Sequence, residues 1–138
     1  IQVSGGGLQK LSDTFVEVAK ESFEDLTDDK MEKYKNAPFR APLIVILVST
    51  KKDHPKVPRI EQIISTGTAG QNIMLALNAL GYGAIWRTGR FAFNEKISER
   101  LGLNDDQTII GYIYVGTPKG KKKSLPKMNT EEYISVWD

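Results

Sequence analysis

The segment Trp86-Arg87-Thr88-Gly89 holds a combination of residue types that suits a bound phosphate. Arginine offers a planar fork of donors, threonine adds a hydroxyl, and glycine lets a ligand approach the backbone. A surface ion pair would explain Arg87 equally well, so residue types alone leave both readings open. Other constellations are missing. His54 is the only histidine and there is no cysteine, which rules out multi-histidine or thiolate metal sites, disulfides and thiolate catalysis. His54 lies between Asp53 and Pro55 in a polar stretch and reads as a solvated loop residue. Glu131-Glu132 and Asp105-Asp106 read as helix-end or loop charges, not a catalytic dyad. Gly67-Thr68-Ala69-Gly70 lacks the lysine and the preceding strand of a phosphate loop. No catalytic side chain and no metal site is expected.

The basic run Lys119, Lys121, Lys122, Lys123 and Lys127 carries glycine and proline but no interleaved aromatic residues. A solvated loop is its plain reading, and a contribution to binding an anionic cofactor is the alternative. Nucleic-acid binding usually needs stacking platforms as well as charge, and a net charge of +2 adds no support for it.

These residues need elements to hold them. Leu8, Leu11, Phe15, Val18, Ala19 and Phe23 recur at helical spacing after the Ser4-Gly5-Gly6-Gly7 turn, and a second polar helical piece follows near Lys30 to Lys35. Ala37 to Pro42 is expected to be extended, because proline restricts the residue before it. Leu43 to Val48 is a continuous aliphatic run that suits a strand covered on both faces. From Glu61 to about Leu80 a helix is apolar almost all round, which predicts burial in a core or a subunit interface. Its small residues Ser65, Gly67, Ala69 and Gly70 would let another backbone come close. Gly81-Tyr82-Gly83 ends it and Ala84 to Arg87 reads as a short strand. Asn94 caps a helix to Leu101 with Gly102 as its stop, and Ile109 to Val115 is the last strand. Tyr133 and Trp137 are expected to anchor the tail. The order of elements points to an α+β or α/β sandwich.

A chain of 138 residues fits one domain, and no apolar stretch approaches the roughly 18 residues of a membrane helix. The absence of cysteine is compatible with a cytoplasmic setting. The chain begins with Ile1, and Ile1-Gln2-Val3 reads as the end of a strand, so further sequence is expected upstream.

Four ordered blocks carry a resemblance: Asn36 to Leu43; His54 with Lys56 to Arg59 and Glu61-Gln62; Gly81-Tyr82-Gly83-Ala84-Ile85-Trp86-Arg87-Thr88-Gly89; and Ile110 to Pro118. Together they resemble the nitroreductase family, in particular the small bacterial NAD(P)H nitroreductases of the YdjA type. The resemblance implies an α+β, three-layer sandwich, an intertwined homodimer, and FMN bound at the dimer interface. It gives Trp86, Arg87 and Thr88 contacts with FMN. By position it places the nicotinamide nucleotide at Ala76, Leu77, Asn78, Ala79, Leu80 and Gly81, where an apolar helix is equally well explained as core. Family members carry an Arg-Arg-Ser motif for the FMN phosphate and a Pro-Trp segment beside the flavin. Both would lie upstream of Ile1, so residues 1–138 are expected to be a single domain lacking that segment. The implied activity is reduction of a nitroaromatic or similar small-molecule acceptor by NAD(P)H in a ping-pong cycle, with FMN supplying the redox chemistry. A flavin-binding protein without turnover, or another reductive enzyme of the same superfamily such as a reductive dehalogenase, is the competing reading.

Overall fold

In the computed structural model, which describes residues 1–120, 124 and 126–137, the chain begins with strand β1 (Gln2–Ser4), helix α1 (Gly6–Ser22) and helix α2 (Asp28–Asn36). Strand β2 (Leu43–Thr50), helix α3 (Arg59–Ala79) and strand β3 (Gly83–Arg87) follow. The one-turn helix α4 (Gly89–Ala92), helix α5 (Glu95–Arg100) and strand β4 (Gln107–Gly116) complete the order. Lys121, Lys122 and Lys123 of the basic run lie outside the described residues. The strands form one sheet in the order β1-β2-β4-β3, and every neighbouring pair is antiparallel. An antiparallel sheet with helices packed on it is an α+β architecture, which decides the choice left open by the order of elements.

Alternation along the strands divides the core into two layers. Ile44 and Ile46 of β2 pair with Tyr114 and Tyr112 of β4, and all four face α1, where they meet Leu11, Phe15 and Val18. Leu47, Ile113 and Val115 face the other way, against Ile73, Met74 and Leu77 of α3. The register slips between Leu47, opposite Gly111, and Val48, opposite Ile109, so β4 has an extra residue there. That bulge swings Ile109 back into the α1 layer, where it is fully buried. The sheet is thus the middle of three layers, as the resemblance implies.

α1 buries the stripe its spacing predicts, and Phe15 stacks on Phe91 with ring centroids 4.1 Å apart. Buried Ser12 is satisfied by donating its hydroxyl to the Lys35 carbonyl at 2.7 Å. Most of Ala37 to Pro42 is not extended: Ala37–Arg40 is a 3-10 turn, and Ala41 is extended before β2. Proline is tolerated in the first turn of a helix, where its missing N–H costs nothing, and Pro38 is fully buried there. Packing of that ring outweighs the local preference of Ala37.

α3 lies one face on the sheet, but it is not buried all round in this chain. Gly70 is its one buried residue, while Ile64, Leu75 and the following Leu80 are 59%, 56% and 73% exposed. The helix ends with two hydrogen bonds, Tyr82 N–H to the Leu77 carbonyl and Gly81 N–H to the Asn78 carbonyl. This paired cap needs a left-handed residue, and Gly81 supplies it at φ +86°. Tyr133 and Trp137 do not anchor the tail on this chain: they are 74% and 99% exposed.

One contact sets how closely α3 sits on the sheet. A Cβ on Gly70 would come within 2.5 Å of both the Trp86 ring and Leu47, and a Cβ on Gly111 would overlap the indole nitrogen of Trp86. The indole occupies the notch these two glycines leave. Gly111→Ala should therefore cost about 1–3 kcal/mol of stability, read by urea denaturation at one fixed protein concentration. In a Trp86→Leu background the same methyl should cost less, since its obstacle is gone. Equal costs in both backgrounds would show that the indole is not the obstacle.

Candidate functional site

Among the described residues β3 is an edge strand paired only with β4. Side chains alternate across it, so Trp86 and Arg87 cannot share a face. Trp86 stands opposite Ile113 and joins the α3 layer. Ile85 and Arg87 stand opposite Tyr114 and Tyr112, on the α1 side of the sheet. The structure brings Arg87 and Thr88 together and sets the Trp86 indole behind them, where it fixes the height of the strand.

Two adjoining clefts open on the Arg87 side. One, of about 160 Å³, is lined by Lys33, Tyr34, Arg40, Arg87, Thr88 and Tyr114 among others. The next, of about 350 Å³, follows β3 from Arg87 past Ile85 to Gly83 and is also lined by Pro118. Arg40, Arg87 and Tyr114 belong to both. Burial pushes the Tyr114 phenol above its ordinary pKa, and the Arg40 and Arg87 charges pull it back. Burial likewise pushes the Tyr112 phenol up, and its hydroxyl donates to the Phe91 carbonyl at 3.4 Å. Thr88 precedes α4 without capping it through its side chain. Its hydroxyl is therefore not committed to the helix.

The turn after Arg87 is held from below. Arg90 pairs with Asp25 at 2.7 Å and lies 3.8 Å from the centroid of the Phe23 ring. Hydrogen bonds from Lys30 and Arg90 hold the Asp25 carboxyl well below the usual carboxylate range. Further along, Asn94 caps α5 by accepting from Lys96 N–H, and Arg100 pairs with Glu21 at 2.5 Å. These contacts tie α4 and α5 to α1 and to the loop that follows it, and so place Thr88.

The residues Ala76, Leu77, Asn78, Ala79, Leu80 and Gly81 form the capped end of α3. All except Leu77 are exposed, so core packing does not account for this stretch within the chain. They sit at the opposite end of β3 from Arg87, a span of about 13 Å at strand rise. None of them lines the second cleft, which ends at Gly83 and Pro118.

Other sequence features stay apart from this edge. His54 is exposed, and its Nδ1 accepts from Lys56 N–H at 3.2 Å in a tight turn. Asp105-Asp106 lie in the turn before β4, and Glu131-Glu132 in a short 3-10 turn. Among the described residues no group of three His, Cys, Asp or Glu could hold a metal ion, and no helix is long and apolar enough to cross a membrane. Another cleft, about 510 Å³ between α5 and β4, offers Glu95, Glu99 and Asp105 rather than guanidinium donors. Sequence reasoning did not single out Arg40 or Tyr114. The strand alternation of Tyr112, Tyr114 and Gly116 was the signal available for Tyr114.

With this geometry in hand, comparison with known proteins is specific. The "Nitroreductase family" model matches residues 7–117. The Escherichia coli (strain K12) protein named "Putative NAD(P)H nitroreductase YdjA" is 42% identical over 96 residues, covering 69% of this chain and 52% of that protein. A nitroreductase-like family protein from Bacillus cereus has a TM-score of 0.76 at 19% identity, covering 99% of this chain and 71% of that one. The FMN and NADPH-dependent nitroreductase NfnB of sphigopyxis sp. strain HMH has a TM-score of 0.73 at 18% identity, covering 100% of this chain and 78% of that one. The two solved structures share the fold with this chain. The chain spans about half the length of the curated Escherichia coli relative it matches.

Proposed function

The chain belongs to the nitroreductase family, and on that premise we propose that it is an FMN-dependent oxidoreductase using NAD(P)H to reduce nitroaromatic or similar small-molecule acceptors. The observation that carries this reading is Arg87. Among the described residues no carboxylate pairs with it, and it stands beside the uncommitted Thr88 hydroxyl at the mouth of two clefts. A phosphate dianion is the natural complement of such a pair of donors. The names of the relatives agree with it, one being an NAD(P)H nitroreductase and another FMN and NADPH-dependent.

FMN, when bound, would supply the redox chemistry that links NAD(P)H to the acceptor in a ping-pong cycle. The chain binds and orients. Arg87 and Thr88 hold the FMN phosphate, and Trp86, wedged against Gly111 and Gly70, keeps β3 at the height that aims Arg87 into the cleft. Residues 76–81, mostly exposed at the capped end of α3, take the nicotinamide nucleotide. No side chain of this chain is assigned a proton-transfer step. The reading places the protein in the cytoplasm, where NAD(P)H is supplied, and takes residues 1–138 as belonging to one domain.

The same reading makes the protein a homodimer. Ile60, Ile64 and Leu75 leave an apolar side of α3 without cover, Leu80 is exposed just past its end, and Tyr133 and Trp137 are exposed in the tail. A second copy would bury them. Light scattering at low micromolar concentration should show a dimer, and a stable monomer there would contradict the assignment.

Arg87 provides the direct test. Arg87→Ala should cost roughly 1.5–3 kcal/mol of FMN binding, or about ten- to a hundredfold in Kd. Arg87→Lys should recover only part, because a point charge cannot reproduce the planar fork. Excess FMN should restore most of the NAD(P)H-dependent turnover. Wild-type FMN affinity in Arg87→Ala would sink the assignment, and bound flavin that NAD(P)H fails to bleach would favour a carrier over an enzyme.

A further inference from the structure

The chain has five arginines, and three have a carboxylate partner close by. Arg59 pairs with Asp53 at 3.0 Å, Arg90 with Asp25 at 2.7 Å and Arg100 with Glu21 at 2.5 Å. Among the described residues Arg40 and Arg87 have none. These two are far apart in sequence, yet both line the same two clefts beside Tyr114. The charges of both reach the Tyr114 phenol. That phenol has no hydrogen-bond partner among the described residues.

Arg40 is held in place. It closes the 3-10 turn whose Pro38 is fully buried against the α1 layer, so its backbone is fixed relative to the sheet. Two guanidinium groups gathered at one mouth repel each other unless an anion lies between them. A carboxylate ligand brings one charge and two oxygens. A phosphate ester brings nearly two charges and three acceptor oxygens at neutral pH, enough for two forks and a hydroxyl arriving from different elements.

We propose that Arg40, Arg87 and Tyr114 form one clamp for the phosphate ester group of a nucleotide, with Arg40 supplying the second guanidinium. The inference rests on the reading of Arg87 as a phosphate donor, and it adds a ligand-binding role for the turn between α2 and β2. Arg40 and Tyr114 bind; they take no part in electron transfer.

The test is a set of titrations of the full chain with FMN, riboflavin and NADPH, following flavin or nicotinamide fluorescence. Arg40→Gln should raise the Kd for FMN by about tenfold or more and leave riboflavin, which has no phosphate, unchanged. Arg40→Lys should restore part of the affinity. Arg59→Gln, which removes an arginine outside the clefts, should change nothing. Matching thermal melts of wild type and Arg40→Gln confirm that folding is not what is being read. A loss confined to NADPH would keep the clamp and assign it to a phosphate of the dinucleotide. Unchanged affinity for FMN and NADPH alike, or equal losses for FMN and riboflavin, would overturn the clamp while leaving the flavin reading intact. Wild-type protein that binds no flavin would instead defeat the flavin reading, and the NADPH titration alone would then decide the clamp.

Discussion

The edge of the sheet is organised by the indole of Trp86 filling the space that Gly111 and Gly70 leave open. A side chain at either glycine would collide with that ring, so α3, β3 and β4 are locked at one spacing. Close-packed interiors transmit such constraints because they have few voids to absorb them. With Trp86 committed to the α3 layer, alternation turns Arg87 to the other face, beside Tyr112 and Tyr114. The chemistry on one side of β3 is therefore set by packing on the other. The bulge in β4 just beyond Gly111 serves the same division, since it lets Ile109 return to the α1 layer without moving the notch.

Charge is distributed by the same logic. Arg90 and Arg100 are spent on structure, joining α4 and α5 to Asp25 and Glu21 near the end of α1. Exposed pairs of this kind add little stability; their effect is to hold the turn that contains Thr88. Arg40 and Arg87 are left with their donors turned toward two clefts and a largely buried phenol. Cations without a carboxylate partner among the described residues, beside a concave surface, are what the proposed phosphate site rests on. The apolar residues that α3 leaves exposed are the surface that the proposed dimer would cover.

Much of this was legible in the sequence because it depends on periodicity. The stripe of α1, the aliphatic run of β2, the Asn94 cap of α5 and the glycine stop after α3 all appear where spacing and turn chemistry put them. What escaped depends on contacts between distant segments. The turn Ala37–Arg40 is helical because Pro38 finds a buried seat, and local preference cannot register a seat built by other elements. Trp86-Arg87-Thr88 reads as one unit along the chain, but a strand splits consecutive residues between faces. Arg40 was visible only as part of a proline-rich entry to β2; its nearness to Arg87 required the fold. α3 reads as buried in a core or a subunit interface, and this chain by itself covers only the face that meets the sheet.

The central claim is that one face of β3 binds phosphate while the other is fixed by Trp86. A crystal structure of the protein with FMN tests it most directly. The account predicts the FMN phosphate within hydrogen-bond distance of the Arg87 and Arg40 guanidiniums on the Tyr114 side, with the indole still seated against Gly111 and Gly70. A phosphate held elsewhere, or an indole lifted out of the notch to stack on the flavin, would contradict it.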